Sequence, residues 1–583
     1  MSQLSPGVRW KEIDLSHYTP ALSTTSVGLV GTATKGPINK RRLIGNLEQL
    51  IQVFGYPSPS HPGLYAAQEY LREGNQLWYV RVECEEDPAA VATVSVPLLD
   101  ATSADFTAKD AGTFYNGNII KVVHSNPLNT THAKTGADGT AGAFSFTLQT
   151  PVVPNSVKVV SGGAQAVDDG SGVLTGAGVT GTVNYATGAV TATFTAPPAN
   201  GAAVKAVGQY FTTFNLEIYK VIGARSYVVE SFRNLTLNNL LENFYKKVLA
   251  GSNMLALPEL TAMPAVGSYV LANGSDGLTG ITAGDYVGKI VGTQSLGLQA
   301  FANAEEIDVN TVAVPGITFP AVTQALLTLA ETRRDCMVLP DPPSELDVES
   351  VIDWVDGAGE YAAQNAINSS YAAVYYPWVK IYDTYSDQEV LVPPSAFAMA
   401  AFARTDQQAN IWYAPAGGKR GKVLGSIGVE RTLNEGQRTT LYINRINPIS
   451  DFIASGILIW GQKTAQVEAS DLDRVAARRT LLYIEKVIVT ALQPLVFEPN
   501  NKYTWARAES IVQPFLDGFV AKGGLFYGKI VCNDKVNTPQ IIQRNEMVAN
   551  VFLKLPKSAE FITVNFIMLA TGANVEEYLG RQF

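Results

Sequence analysis

The chain contains 583 residues, which is too long for one hydrophobic core, so we expect roughly three or four domains. Hydrophobic residues account for 46% and charged residues for 16%, a balance typical of folded globular proteins. The formal net charge of −9 argues against a protein that coats nucleic acid.

The start of the sequence and its cysteines indicate a protein that is made and folded in a cytoplasm. The first residues, MSQLSPGVRWKEIDLS, lack the apolar core of a signal peptide. The sequence contains no run of about 18 apolar residues, so no membrane span is predicted. Cys84, Cys336 and Cys532 form no CxxC pair and no disulfide framework, so we interpret them as buried thiols in a reducing compartment.

The N-terminal part predicts an arm followed by a small α/β unit. Residues 1–22 show no long periodicity and mix prolines, aromatic residues and charges. TSVGLVGTATKGP (25–37) predicts an apolar strand that is covered on both sides. GLYAAQEYLREGN (63–75) has helical spacing and stops at Gly74, and LWYVRV (77–82) predicts the next strand.

The composition changes between about 137 and 210, where Gly, Ala, Thr and Val occur in short alternating runs. VNYATGAVTATF (183–194) carries a turn at Thr187-Gly188 between two strands, which is typical of a hairpin. We expect an inserted all-β domain, a sandwich or a small barrel, with its own core. Its two ends are expected to lie close together, because insertions are tolerated in surface loops.

The remaining sequence returns to an alternation of helices and strands. Leu237, Leu240, Leu241, Phe244 and Val248 have the spacing of one helix face. Long helices are predicted at about 470–493 and 505–522, with strands at KIVCND (529–534) and EFITVNFIML (560–569). In the last of these strands, apolar residues alternate from Ile562 to Met568.

A search for catalytic, cofactor and metal sites finds none that the residue spacing supports. The four histidines are His17, His61, His124 and His132, so a Ser-His-Asp site within 133–583 is excluded. No Cys, Asp or Glu cluster accompanies the histidines to suggest zinc. APAGGKRGK (414–422) lacks the order of a phosphate loop, and DDGSG (168–172) and GSDG (274–277) lack the spacing of an EF-hand. We expect neither an enzyme nor a cofactor.

The predicted helix near 470–493 carries a series of basic residues beside an apolar face. Arg474, Arg478 and Lys486 recur at i, i+4 and i+12, and Arg479 is adjacent. One interpretation is an ordinary amphipathic helix with a solvated basic side. The alternative is a basic ridge that docks on an acidic partner surface.

The loop VFEPNNKYTW (496–505) predicts a stiff corner between the two long helices. Pro499 prevents the first helix from continuing, and Asn500 and Asn501 favour a defined turn. Trp505 is expected to pack the second helix against the first. A catalytic role is not supported, because Glu498 has no evident acid–base partner.

Several motifs, in their order along the chain, resemble those of the tail sheath proteins of contractile (myovirus-type) phage tails and related contractile injection systems. They include PGVRWKEID, TSVGLVGTATKGP, NGSDGLTGITAGDYVG, VPPSAFAMAAFARTD, WGQKTA, RRTLLYIEKVI, VFEPNNKYTW and NTPQIIQRNEMVANVFLKLPKSAEFI. Residues 137–210 lie outside the common pattern.

The resemblance implies a multidomain α/β protein with extended arms. Its parts are an N-terminal arm (1–22), an N-terminal α/β and β region (23–136), the inserted β domain (137–210), a subtilisin-like α/β middle domain without catalytic residues (211–450), a C-terminal α/β sheath domain (451–570) and a C-terminal arm (571–583).

The resemblance also implies a structural subunit that polymerises around a tail tube and contracts to drive it through the host envelope for genome delivery. Expected partners are further copies in stacked rings, the tube protein, and baseplate and tail terminator proteins, with no direct nucleic acid and no membrane insertion. The expected location is the virion, after assembly in the host cytoplasm. Candidate inter-subunit linkage residues are Trp10, Ile13, Ile562, Val564 and Phe566, and candidate tube-facing residues are Arg474, Arg478, Arg479 and Lys486.

Two alternatives remain open from the sequence. One is the sheath of a non-phage contractile injection or secretion system. The other, from a different class, is a surface glycan-binding protein that acts through residues 137–210.

Overall fold

The structure is a computed structural model that describes residues 25–564, apart from 136, 223, 224, 363 and 562.

The first strands of the chain lie in one mixed sheet. The elements are β1 (Val27–Gly31), β2 (Arg42–Ile44), α1 (Leu47–Phe54), α2 (Pro62–Leu71) and β3 (Leu77–Arg81). All five residues of β1 are buried, which confirms the prediction of a strand covered on both sides. It runs parallel to β3, and β2 is antiparallel to β3.

A long antiparallel ribbon then leads away from this α/β unit. The next strands are β4 (Val91–Pro97), β5 (Ser103–Ala111) and β6 (Ile119–Lys134). The ribbon is formed by β6 and a later strand, β13 (Val204–Ile222), which pair from Ile119 and Tyr219 at one end to Lys134 and Val204 at the other. Strands β4 and β5 form a separate two-stranded sheet.

Residues 137–206, here called the β module, lie at the far end of this ribbon. They contain β7 (Ala143–Thr147), β8 (Lys158–Ser161), β9 (Ala164–Asp168), β10 (Val173–Ala177), β11 (Val179–Val183) and β12 (Ala189–Phe194). The strands follow in the order β13-β8-β9-β10-β11-β12-β7. The sheet curls until β7 meets β6, where the Thr147 N–H donates to His132 Nδ1 at 3.1 Å. A separate hydrophobic core, which includes Phe146, Leu174 and Val190, fills the interior.

The two ends of the β module lie side by side, because the Gly201 N–H donates to the Ala137 carbonyl at 2.8 Å. The hairpin predicted at Thr187-Gly188 joins β11 and β12, and Gly188 has the positive φ of 70° that such a turn requires. After the β module, β13 also pairs with β14 (Arg225–Leu235).

The helix predicted from Leu237 to Val248 is wrong over most of its length. Only α3 (Tyr245–Leu249) is helical there, and Leu240 is 84% exposed. Asparagine side chains compete with helical bonding at this point, because Asn238 Oδ1 accepts from the Leu240 N–H at 3.0 Å. The apolar spacing was therefore overridden by a local turn.

The central sheet is completed by strands from the middle of the chain. The elements here are β15 (Gly267–Val270), α4 (Ala283–Val287), β16 (Ile290–Val291), β17 (Gln294–Ser295), β18 (Thr311–Ala313), α5 (Pro320–Arg333), β19 (Met337–Val338) and α6 (Val348–Asp356). The sheet order is β19-β18-β1-β3-β2. Strands from the ranges 23–136 and 211–450 thus pair in one sheet. The boundary expected between these ranges therefore does not separate two sheets.

The last third of the described chain combines small sheets with long helices. Its elements are β20 (Val374–Tyr376), β21 (Val379–Asp383), β22 (Gln388–Val392), α7 (Pro394–Gln408), α8 (Gly417–Arg420), β23 (Ser426–Val429), α9 (Glu435–Ile443), β24 (Ile446–Phe452), β25 (Gly456–Ile459), α10 (Val475–Leu492), α11 (Lys502–Ala521), β26 (Tyr527–Val531), α12 (Pro539–Gln543) and β27 (Asn550–Lys554). Helices α10 and α11 confirm the two long helices predicted from the sequence. Among the helices of the described residues, none is both long and apolar enough to span a bilayer.

Candidate assembly site in the C-terminal region

The corner between α10 and α11 is held by hydrogen bonds from its two asparagines. Asn501 Oδ1 accepts from the N–H groups of Tyr503 and Thr504 at 3.0 and 3.1 Å, which caps the start of α11. The buried Trp505 donates its indole N–H to Asn500 Oδ1 at 2.7 Å. Asn500 in turn donates to the Glu546 carbonyl at 2.7 Å, so the corner is tied to the segment that leads into β27.

Strands β26 and β27 form what we call the C-terminal sheet, which has only two strands among the described residues. Its inner face rests on α11 and shares a hydrophobic cluster with Leu516 and Phe519. Its outer face leaves the aromatic side chains of Tyr527 and Phe552 exposed. An isolated pair of strands is marginally stable in water, so this sheet depends on its packing against the helix.

Beyond β27, the chain is fixed to the rest of the protein by an anchor made of Glu560, Arg474, Tyr442 and Gln462. Arg474 donates to the Glu560 carboxylate from Nε at 2.6 Å and from Nη2 at 2.9 Å, a bidentate geometry. The Tyr442 hydroxyl and Gln462 Nε2 donate to the same carboxylate at 2.9 and 3.0 Å. The anchor therefore holds Glu560 against α9 and the start of α10.

The charge of Glu560 is stabilised by these contacts. Burial alone would raise the pKa of Glu560, but the hydrogen bonds from Arg474, Tyr442 and Gln462 outweigh it and lower the pKa. Glu560 is therefore ionised at neutral pH, as the pairing with Arg474 requires. The anchor weakens only in acid, when this carboxylate takes up a proton.

The other tube-facing candidates also have partners inside the chain. The Arg478 guanidinium lies 3.6 Å from the ring centre of Tyr371. Arg479 forms an ion pair with Asp406 at 2.6 Å, which joins α10 to α7, and Arg478 and Arg479 are each 5% exposed. Lys486 pairs with Asp308 at 2.5 Å. The interpretation of a helix with a solvated basic side is therefore wrong, because these side chains contact partners within the protein. Their tube-facing role stays a prediction.

Most of the linkage candidates lie outside the described residues. This applies to Trp10, Ile13, Ile562 and Phe566. Val564 is described and is 65% exposed. The alternating strand expected at 560–569 and its part in linking subunits stay predictions.

The described residues hold no group of three or more His, Cys, Asp or Glu side chains placed to bind a metal ion. His124 and His132 instead contact main-chain groups: His124 Nε2 lies 2.8 Å from the Pro264 carbonyl, and His132 lies beside Thr147. The cysteines Cys84, Cys336 and Cys532 are free and buried.

Comparisons with known proteins point to one family. The family model of the phage tail sheath protein central domain matches residues 279–465. The tail sheath protein of Enterobacteria phage T4 is 25% identical over 667 aligned positions, which cover 100% of both chains. That of Vibrio phage KVP40 is 29% identical over 334 positions, 54% of this chain and 48% of that protein. The chain is therefore similar to tail sheath proteins along its whole length.

The chain also shares its fold with a solved structure. The sheath tail protein from Desulfitobacterium hafniense has a TM-score of 0.54 at 12% identity, and the match covers 90% of this chain and 93% of that one. The mixed α/β, multidomain character expected from the sequence is therefore confirmed.

Sequence reasoning missed the contacts that Glu560 makes. It lies between a lysine-containing segment and an apolar run, in KLPKSAEFI, and nothing in that pattern signals a buried contact. Its partners are 86 to 118 positions away along the chain. Only the tertiary structure brings these groups together.

Proposed function

We propose that the protein is the repeating subunit of a contractile sheath, which polymerises around a tail tube and contracts to drive the tube through the host envelope for genome delivery. The observation that carries this proposal is the C-terminal sheet, which has two strands among the described residues and is followed by the segment that Glu560 anchors. A sheet of this kind accepts strands from other chains by β-augmentation.

In this proposal, the arms of one subunit add strands to sheets of its neighbours. Such contacts join two different surfaces, so they repeat head to tail and build an open helical array rather than a closed dimer. Candidate residues for this linkage are Trp10 and Ile13 in the N-terminal arm and Ile562, Val564 and Phe566 near the C-terminal end. The anchor around Glu560 keeps the departure point of the C-terminal strand constant while subunits move.

Contraction requires that subunits move as rigid bodies while the contacts between them change. Interactions across the long helices support this behaviour, because Arg479 of α10 pairs with Asp406 of α7 and Lys486 of α10 pairs with Asp308. The work would come from interfaces with two alternative packings, and no nucleotide hydrolysis is needed.

The remaining parts of the proposal rest on the similarity to tail sheath proteins. The middle of the chain is proposed to be a subtilisin-like domain that has lost catalysis, and residues 137–210 to be an insertion into the common sheath architecture. Proposed partners are further copies of the chain, the tube protein, and baseplate and tail terminator proteins. The proposed location is the virion tail, after assembly in the host cytoplasm.

Electron microscopy of the purified protein tests the proposal. At high concentration and without partners, negatively stained samples are expected to show hollow, regularly striated tubes. A variant that lacks residues 1–18 should remain folded by circular dichroism but form no tubes. His17→Ala is a matched control in the same arm and should assemble normally. Normal tubes from the deletion variant would rule out linkage through the N-terminal arm.

A further inference from the structure

The outer edge of β26 is already occupied by a side chain of α11. Gln513 donates from Nε2 to the Gly528 carbonyl at 3.1 Å, and its Oε1 accepts from the Ile530 N–H at 3.2 Å. One carboxamide thus bonds one acceptor and one donor of the same strand. A peptide group of a neighbouring strand would make the same pair of hydrogen bonds.

Two carboxylates complete this arrangement. Gln513 Nε2 also donates to Asp517 Oδ1 at 2.8 Å, which fixes the orientation of the amide. Glu509 Oε1 accepts from the Cys532 N–H at 2.7 Å, one step further along the same edge. A strand added here would have to displace Gln513 and would bring its backbone next to both carboxylates, which is costly unless they find new partners.

The edge of β27 differs in its backbone groups. The backbone N–H and C=O groups of Gly528 and Ile530 point away from β27. The backbone groups of the residues opposite them, Leu553 and Val551, therefore point away from β26. Outside the strand pairing itself, no hydrogen bond among the described residues reaches the backbone of Val551 or Leu553.

The side chains show the same asymmetry. Ile530 on β26 is 2% exposed, whereas Val551 and Leu553 on β27 are only half-buried against the helix core. A strand placed beside β27 would satisfy the open backbone groups and cover these apolar side chains together. FITVNFIML (561–569) has apolar residues at every second position, which suits such a half-covered face.

We propose that Gln513, oriented by Asp517 and supported by Glu509, closes the β26 edge and directs an incoming strand, FITVNFIML of a second copy of this chain, onto β27. Gln513 is a positioning residue that determines the direction in which the sheet grows. The inference rests on the proposed sheath function, and it adds that successive strands extend the C-terminal sheet on one side only.

Hydrogen–deuterium exchange with residue-level fragmentation tests this, with free subunits compared with assembled tubes. In free subunits, the Ile530 and Cys532 amides should exchange slowly and the Val551 and Leu553 amides quickly. Assembly should slow exchange at Val551 and Leu553 by about tenfold or more and leave Ile530 and Cys532 unchanged. Tubes in which Ile530 becomes protected, or Val551 and Leu553 do not, would overturn the inference while the sheath function stands.

Two variants separate the role of Gln513 from general stability. Gln513→Ala removes all three contacts, so it should speed exchange at Ile530 in free subunits and permit protection there on assembly. Gln513→Glu loses the donors to Asp517 and Gly528 but keeps an acceptor for the Ile530 N–H, so exchange at Ile530 should stay slow. Ser510→Ala, on the exposed side of the same helix, is the matched control and should behave as wild type. Unchanged exchange at Ile530 in Gln513→Ala would contradict the proposed edge closure.

If no tubes form under any condition, the sheath function fails and the edge preference is measured with the peptide FITVNFIML added to free subunits. Protection of Val551 and Leu553 by the peptide would support the inference. Protection of Ile530, or of neither edge, would overturn it.

Discussion

The β module and the C-terminal sheet are both antiparallel, but they differ in how complete they are. In the β module, the strand sequence from β13 to β7 curls back to β6 and encloses a hydrophobic core of its own. Among the described residues, the C-terminal sheet has two strands, with one edge covered by Gln513 and no further hydrogen bonds at the other, and it shares a hydrophobic core with α11.

This difference bears on two separate properties of each sheet, its own stability and its capacity to pair with a strand of another chain. In the β module, β7 ends the strand order and contacts β6 through the His132 side chain, so its edge is partly covered within the chain. A sheet with one open edge remains incomplete until another chain supplies a strand. Under the proposed function, the C-terminal sheet is the part that would accept a strand from a neighbouring copy.

The largest expected effect comes from breaking the corner that supports the C-terminal sheet. Trp505→Ala removes a buried indole and its bond to Asn500, and we expect a loss of about 3–5 kcal/mol in the stability of the C-terminal region. Differential scanning calorimetry should show a lowered transition for this region. Tyr503→Ala, whose side chain is 78% exposed, is the control and should leave the thermogram unchanged. An unchanged melting temperature for Trp505→Ala would refute the stiff corner.

A core substitution in the β module should act on that part alone. Leu174→Ala leaves a cavity at a fully buried position, with an expected loss of about 2–5 kcal/mol in the stability of the β module. Tube formation, measured by electron microscopy, should persist below the melting temperature of the β module. Val173→Ala, next to it on the exposed side of β10, is the matched control. Loss of assembly at a temperature where the β module is folded would show that the two regions are coupled.

A smaller and more local effect is expected at the anchor. Glu560→Gln removes the charge that Arg474 holds, at a cost of about 1.5–3 kcal/mol for a hydrogen bond to a charged group. Tryptic cleavage after the exposed Lys557 should become faster, as followed by mass spectrometry. Glu546→Gln, in an exposed pair with Arg544, is the control and should not change the cleavage rate.

The pH dependence of the anchor follows from the lowered pKa of Glu560. A carboxyl group with a lowered pKa in the folded state adds stability above its ordinary pKa, and this is lost as the pH falls through the folded value. Using a protease active in acid, wild-type cleavage should approach that of Glu560→Gln as the pH drops below about 4.5. A constant difference between the two proteins across this range would contradict the assigned role of the charge.

Local pattern predicted many of the elements but not their long-range partners. The apolar run of β1, the helical spacing of α10 and α11, and the Thr187-Gly188 turn are encoded within a few neighbouring residues, so they were predictable. The 237–248 helix failed because Asn238 bonds locally in a turn, which an apolar periodicity does not register.

The candidate site was less predictable because charges near α10 are satisfied from distant parts of the chain. Arg479 is buried against Asp406, and Arg478 lies over Tyr371, a partner more than a hundred positions earlier. A basic residue on a helix is normally exposed, so its sequence context favours solvent or a partner surface. The anchor at Glu560 was missed for the same reason.

The β6–β13 ribbon, here called the stalk, packs at its Ile119 end in the hydrophobic cluster of β4, β5 and β14, and it carries the β module at its Val204 end. Its pairing runs from Ile119 to Lys134, which at ~3.3 Å per residue spans roughly 50 Å. The stalk ends where Lys134 pairs with Val204, so these two residues are adjacent attachment points for a folded domain whose own termini lie close together. This position is accordingly suited to grafting foreign domains for display along the length of a tail.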